Sequence, residues 1–123
     1  MDIDRYVDTI QYCELESDFV QFKSGDMTEI GERGVNLSGG QKARIGLARA
    51  VYQDSDIYLM DDPISALDSQ VRRQIINNVI NGALKDKTRI LATHAIDFVH
   101  QADHIIIMDQ GQIAAQGPYT ELK

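Results

Sequence analysis

Apolar residues recur along the chain at two different spacings, and the switch between them outlines its elements. Near the start, Ile3, Val7 and Ile10 follow one another at three- and four-residue steps, with a second cluster at Leu15, Phe19 and Val20. That spacing predicts one or two short helices over residues 1–23. Residues 24–37 break the pattern, and Gly25, Gly31 and Gly34 mark a loop. A helical period returns from Ser38. Lys42, Arg49 and Gln53 fall on one polar stripe, while Ile45, Leu47, Ala48 and Val51 leave most of the remaining surface apolar. A largely buried helix with one wet edge is expected.

The pattern then shortens. Ile57–Met60 is a continuous apolar run closed by Asp61, Asp62 and Pro63, which predicts a buried parallel strand stopping at a functional edge. Asp68 can cap a helix running through about Asn81, with Val71, Ile75, Ile76 and Val79 as its apolar stripe. Arg89–Thr93 reads as a second strand, 95–102 as a short helix and His104–Met108 as a third strand. Asp109–Gln112 turns into a weaker strand at Ile113–Ala115, and Pro118 can open a terminal helix. This alternation from residue 57 predicts an α/β fold with a parallel sheet and right-handed crossovers. Such sheets place chemistry at the carboxyl ends of strands, where Asp61, Asp62 and His94 fall.

Composition narrows the classes. At 123 residues and 43% hydrophobic, the chain has the size of one compact domain. A net charge of −7 argues against a nucleic-acid partner, which normally calls for a basic face. It does not exclude a nucleotide, because one loop and one ion can bind phosphate locally. Cys13 is the only cysteine, so neither an internal disulfide nor a cysteine metal cluster can form. No apolar run approaches the roughly 20 residues that a spanning helix needs, and the start carries no signal-peptide pattern. Any membrane link is therefore expected through a partner or another part of a longer protein.

Two clusters carry candidate chemistry. Leu37-Ser38-Gly39-Gly40-Gln41 opens the first long helix. A Ser followed by two glycines presents a hydroxyl and bare backbone N–H groups at the positive end of a helix dipole, where an anion can approach closely. The plain alternative is an N-cap with a flexible entry. Asp61 and Asp62 form an acid pair at a strand end, suited to holding Mg2+ through water and to orienting a nucleophilic water. The alternative there is a turn or a helix cap.

Taken in order, Leu37–Gln41, DIYLMDDPISALD at 56–68 and ATHAIDFVHQADHIIIMDQGQIAAQG at 92–117 resemble the signature, Walker B, D-loop, switch histidine and closing strands of an ATP-binding-cassette (ABC) nucleotide-binding domain. GDMTEIGERGVNLSGGQ at 25–41 resembles the first cassette of the C subfamily, the multidrug-resistance-associated transporters. The resemblance implies a P-loop NTPase-like α/β fold that is partial here. Residues 1–37 would be the helical subdomain with its coupling-facing loop, and 38–123 the signature helix and catalytic core.

It also implies roles. Leu37, Ser38, Gly39, Gly40 and Gln41 would form the signature, touching the γ-phosphate of an ATP held by a second cassette through Ser38, Gly39 and Gly40. Asp61 would position Mg2+ and the attacking water, and Asp62 would take the place of the catalytic carboxylate. Ala66, Leu67 and Asp68 would form the D-loop, with His94 as the switch residue. Glu29 and Glu32 would face the coupling helices of the transmembrane domains, with a solvated acidic loop as the alternative. His100 and His104 match no motif and read as structural. The expected cofactors are ATP and Mg2+, and the expected place is the cytoplasmic face of a membrane.

Two departures qualify the resemblance. Most active cassettes carry Glu after the Walker B Asp, whereas Asp62 is one methylene shorter and would align water poorly. No Gly-x-x-x-x-Gly-Lys-Ser/Thr occurs, so no P-loop cradles the α- and β-phosphates within these residues. They therefore read as part of a cassette, a truncated product or a true fragment. In the family's sheet the P-loop strand would lie between 89–93 and 104–108, so exposed backbone edges and apolar faces, and a marginal or aggregation-prone isolated chain, are expected. The open alternatives are an inactive fragment acting only as an interaction surface, and part of a soluble ABC ATPase. The coupling-type loop at 25–36 favours a transporter.

Overall fold

Helix α1 (Ile3–Tyr12) begins where the Asp2 carboxylate accepts the N–H of Arg5 at 3.0 Å, and Asp4 adds negative charge to its positive end. It closes at Cys13, after which Glu14 (φ 58°) adopts the left-handed conformation common at helix ends. Helix α2 (Glu16–Gln21) follows. The computed structural model describes residues 2–21 and 37–122, without the side chains of residues 19–21. The predicted loop, with Gly25, Glu29, Gly31, Glu32 and Gly34, lies outside the described residues except for Leu37, and so do the side chains of Phe19 and Val20.

The chain then forms α3 (Gly39–Gln53), β1 (Ile57–Asp61) and α4 (Ser69–Ile75), which continues as a π-helical stretch over Ile76–Ala83. Next come β2 (Thr88–Ala92), a 3-10 segment (Ile96–Gln101), β3 (Ile105–Asp109), β4 (Gln112–Gly117) and α5 (Tyr119–Leu122). These elements fall into two compact units, one up to Thr93 and one from His94 onward.

In the first unit α1 packs against α3 and the π-helical stretch. Its core holds Cys13, Leu15, Ile64, Ile75 and Val79, all essentially fully buried. The expected α1 stripe is only partly a core stripe. Ile3 and Val7 are 65% and 45% exposed, and α1 instead buries Thr9 and, just past its end, Cys13. Thr9 can be buried because its hydroxyl donates to the Arg5 carbonyl at 2.7 Å. Lys42, Arg49 and Gln53 form the exposed edge of α3, as predicted, and Leu47 and Ala48 are buried.

Strands β1 and β2 run parallel, pairing Ile57 with Thr88 through Asp61 with Ala92. One face buries Tyr58. The other leaves Ile57, Leu59 and Ile90 61%, 75% and 61% exposed, which corrects the expectation of a fully buried strand. The predicted third parallel strand also differs. β3 pairs antiparallel with β4, and the parallel sheet has two strands among the described residues. The antiparallel pairing of β3 with β4 is set locally. Gln110 (φ 49°) and Gly111 (φ 76°) both take left-handed conformations, and a two-residue turn of that kind joins neighbouring strands antiparallel.

The predicted helix from Asp68 forms, and its second half widens to the π form. The Leu84 N–H donates to the Val79 carbonyl, five residues back, at 2.9 Å. Gly82 suits this stretch, because a Cβ there would stand 2.9 Å from the Asn77 carbonyl oxygen.

Candidate functional site

Ser38 caps α3 from extended backbone (φ −70°, ψ 164°). Its Oγ accepts the Gln41 N–H at 3.1 Å, and the Ser38 N–H donates to Gln41 Oε1 at 2.9 Å, a reciprocal capping box. The Lys42 N–H donates to the Ser38 carbonyl at 3.0 Å. No partner is assigned to the N–H groups of Gly39 and Gly40 among the described residues, as expected of a first helical turn. The Ser38 hydroxyl accepts within the cap and keeps its proton to donate. Leu37 is half-buried, while Ser38 and Gly39 are exposed. A small anion would meet two N–H groups, one hydroxyl and the positive end of a 15-residue helix.

Neither glycine is dictated by backbone shape. Both lie in ordinary helical conformation, with no positive φ. A Cβ on Gly39 would meet the Ala66 Cβ at 3.5 Å, and one on Gly40 the Ala66 carbonyl at 3.4 Å and Leu67 Cδ2 at 3.6 Å. Side chains larger than hydrogen therefore fit, yet the turn stays bare. The same contacts bring the signature-like turn against Ala66 and Leu67, two clusters far apart in sequence. Ala66 is exposed and Leu67 buried. The Leu67 carbonyl accepts from Arg72 Nη2 at 3.3 Å, and Asp68 Oδ1 accepts the Val71 N–H at 2.9 Å as the cap of α4.

Asp61 ends β1 with an exposed side chain, opposite Ala92 at the end of β2. Asp62 follows at φ 50°, half-buried. Its N–H donates to the Ala92 carbonyl at 2.7 Å, and its carbonyl accepts from the Ser65 hydroxyl at 3.4 Å. The two acids thus stand together where both parallel strands end. Among non-glycine residues, Asp is one of those that tolerate this left-handed backbone. His94 opens the second unit and is exposed. His100 stands edge-on to Tyr119 at 6.2 Å, and His104 Nε2 lies 3.1 Å from Gln116 Oε1. Among the described residues no group of three or more His, Cys, Asp or Glu side chains could hold a metal. None of their helices is long and apolar enough to cross a membrane.

One cluster was not anticipated from the sequence. Asp18 on α2 is buried, and its carboxylate pairs with the guanidinium of Arg44 on α3, with Nη2 3.2 Å from Oδ1. Arg44 also donates to the carbonyls of Gly40, at 3.3 Å, and Glu14. Gln41 Nε2 donates to Asp18 Oδ1 at 3.0 Å. The available signal was the position of Arg44, about 200° around the helix from Lys42 at about 100° per residue, opposite the polar stripe. Nearby, burial pushes the Cys13 thiol up to about 12, an effect the Arg44 charge opposes and the Glu14 charge reinforces.

Residues 11–65 match the family described as ABC transporter. Over 123 residues the chain is 51% identical to ABC transporter C family member 13 of Dictyostelium discoideum, covering 100% of this chain and 9% of that protein. It is 52% identical over 120 residues to ATP-binding cassette sub-family C member 3 of Homo sapiens, covering 96% of this chain and 8% of that protein. With ABC transporter C family member 9 of Arabidopsis thaliana it shares 49% identity over 119 residues, 97% of this chain and 8% of that protein. The chain therefore spans less than a tenth of the length of these relatives.

Proposed function

Because the chain belongs to the ABC transporter family, as nucleotide-binding-domain sequence of the C-subfamily type, we propose that it supplies the signature, Walker B and switch side of a transporter's ATP-binding cassette. In this reading residues 1–37 are helical subdomain and coupling-facing loop, and 38–123 carry the catalytic-core motifs. The observation that carries it is the bare first turn of α3. Gly39 and Gly40 have helical backbone and room for a methyl group, so the fold does not call for glycine there. Glycine weakens a helix interior by roughly 0.5–1 kcal/mol relative to alanine, and less in a first turn, so its presence at both positions points to a ligand that needs the backbone uncovered.

That ligand is the γ-phosphate of an ATP bound by a second cassette. The Ser38 hydroxyl and the Gly39 and Gly40 N–H groups would donate hydrogen bonds to the phosphate oxygens. Ala66 and Leu67, which lie against this turn, face the same junction together with Asp68 as the D-loop. At the cassette's own site Asp61 would hold Mg2+, through water. A single exposed carboxylate fits that ion, which keeps several waters and binds the substrate's phosphates; when bound it supplies charge neutralisation there. His94 contacts the γ-phosphate, and Asp62 orients water less well than the longer Glu does. The cassette is then a first cassette of the C subfamily, with a weak site of its own and a competent signature for its partner. Its partners are the second cassette and the transmembrane domains, which place it at the cytoplasmic face of a membrane.

The test is a cross-link in the full-length gene product. Ser38→Cys, paired with a cysteine in the P-loop of the opposite cassette, should form a disulfide with MgATP and not without nucleotide. Cross-linking that ignores ATP, or fails at every P-loop position, would refute the reading. Cys13 should not interfere, being buried and held protonated.

A further inference from the structure

We propose that Asp18, acting with Arg44, is a positioning residue for the signature turn. The inference rests on the reading of Ser38–Gly40 as the phosphate-facing turn and goes beyond it, because Asp18 lies on another helix and 20 residues upstream of Ser38. The connection is a continuous chain of hydrogen bonds. Arg44 grips the Asp18 carboxylate and, through the carbonyls of Glu14 and Gly40, ties the end of α1 and the first turn of α3 to one guanidinium. Asp18 Oδ1 then accepts a hydrogen bond from Gln41 Nε2 at 3.0 Å, which turns the opposite end of that amide, Oε1, onto the Ser38 N–H at 2.9 Å. The Gln41 N–H closes the cycle on Ser38 Oγ at 3.1 Å.

Each polar end of the Gln41 side chain is thus engaged inside the protein. Its amide sets the cap, and the cap sets the turn. With the Gln41 and Lys42 N–H groups committed to Ser38, the groups left to meet an anion are those of Gly39 and Gly40 and the Ser38 proton. Without Asp18, Gln41 Nε2 loses its acceptor in a part-buried place and Arg44 is left as an uncompensated part-buried charge. The amide is then free to rotate off Ser38. The turn can still form, but the donors are no longer held where the phosphate arrives, and misplacement by about 1 Å can cost on the order of a hundredfold in rate.

The test compares Asp18→Ala, Asp18→Asn and Gly39→Asp in the full-length gene product. Vanadate-trapped nucleotide per folded molecule reads the closed two-cassette state. Photolabelling with an azido-ATP in the cold reads nucleotide binding before closure. Asp18→Ala should lower trapping about tenfold or more and leave cold photolabelling within about twofold. Asp18→Asn, which keeps an oxygen for Gln41 Nε2, should lose about three- to fivefold. Gly39→Asp should abolish trapping.

Trapping by Asp18→Ala within about twofold of the unsubstituted protein, whatever its melting temperature, overturns the proposal and leaves Asp18 as a strut between helices. If Asp18→Ala does not fold, Asp18→Asn decides, and unchanged trapping overturns the proposal equally. Trapping that survives Gly39→Asp removes the signature reading itself and this inference with it. If Gly39→Asp abolishes trapping while both Asp18 variants trap normally, the positioning inference fails alone.

Discussion

Replacing Gly39 and Gly40 together with alanine separates what the fold needs from what a ligand needs. On the folding side, two competing quantities can be worked from the structure. Alanine in place of glycine in a helix gains roughly 0.5–1 kcal/mol per position, so up to about 2 kcal/mol for the pair and less in a first turn. Against this stand the new contacts, at 3.5 Å to the Ala66 Cβ, 3.4 Å to its carbonyl and 3.6 Å to Leu67 Cδ2. These are ordinary van der Waals distances, so the contacts should cost little. The balance favours alanine, and the unfolding transition of the cassette in nucleotide-free protein should stay level or rise by a few degrees. On the ligand side, the two methyl groups would crowd the bare turn that a γ-phosphate would have to approach. Each charge-assisted hydrogen bond contributes about 1.5–3 kcal/mol, so losing one weakens closure by roughly 10- to 150-fold at 1.4 kcal/mol per decade. Scanning calorimetry without nucleotide and vanadate trapping with MgATP measure the two sides. A fall of many degrees would show that the fold itself requires the glycines. A steady transition with undiminished trapping would remove the argument for the bare turn as a phosphate contact.

Other substitutions probe different parts of the chain. Gly46 in α3 has open space around its missing Cβ, whereas Gly82 faces the Asn77 carbonyl at 2.9 Å, so Gly46→Ala should stabilise by about 1 kcal/mol and Gly82→Ala destabilise by about 1–2 kcal/mol. Denaturation midpoints of the two should move in opposite directions. Cys13 has its pKa raised from 9.0 to about 12 by burial, so its contribution is whole below pH 9 and is lost as pH climbs through that window. Stability should fall by up to about 1.4 kcal/mol per pH unit there, and Cys13→Ala should flatten that slope relative to the unsubstituted protein. Asp62→Glu should raise hydrolysis at the cassette's own site despite a small backbone cost at φ 50°, read as phosphate released per site. No gain would count against the shortened carboxylate as the cause of a weak site.

Much of the fold was legible because local rules and tertiary packing agree. Ser38 and Asp68 were readable as caps, and both accept from the N–H three residues on. The turn at Asp109–Gln112 was readable because Gly111 accepts a left-handed backbone readily. What periodicity could not supply was the environment of each face. Ile57–Met60 is apolar throughout, so its pattern predicts cover on both sides, yet only the Tyr58 face is covered in the described residues. Ile3 and Val7 have helical spacing but sit on the exposed side of α1, because Thr9 and Cys13 take the inner side. Widening to a π-helix after Ile75 depends on a five-residue hydrogen-bond step that leaves no mark in apolar spacing.

The candidate site divides along the same line. Ser38, Gly39, Gly40, Asp61 and Asp62 stood out because their chemistry is written in adjacent residues. Asp18 and Arg44 did not, since neither belongs to a motif and their meaning lies in a contact across 26 residues. Yet the motif's geometry depends on that contact. A capping box needs only Ser38 and Gln41, and by itself it would leave one end of the Gln41 amide facing whatever lies nearby. Asp18 supplies the acceptor, and Arg44 supplies the charge that lets a carboxylate stay buried there. Arg44 was discernible in principle, as a charge on the wrong side of an amphipathic helix. Such a residue is costly to bury alone, so its presence in a sequence predicts an acid from another element before that acid can be named.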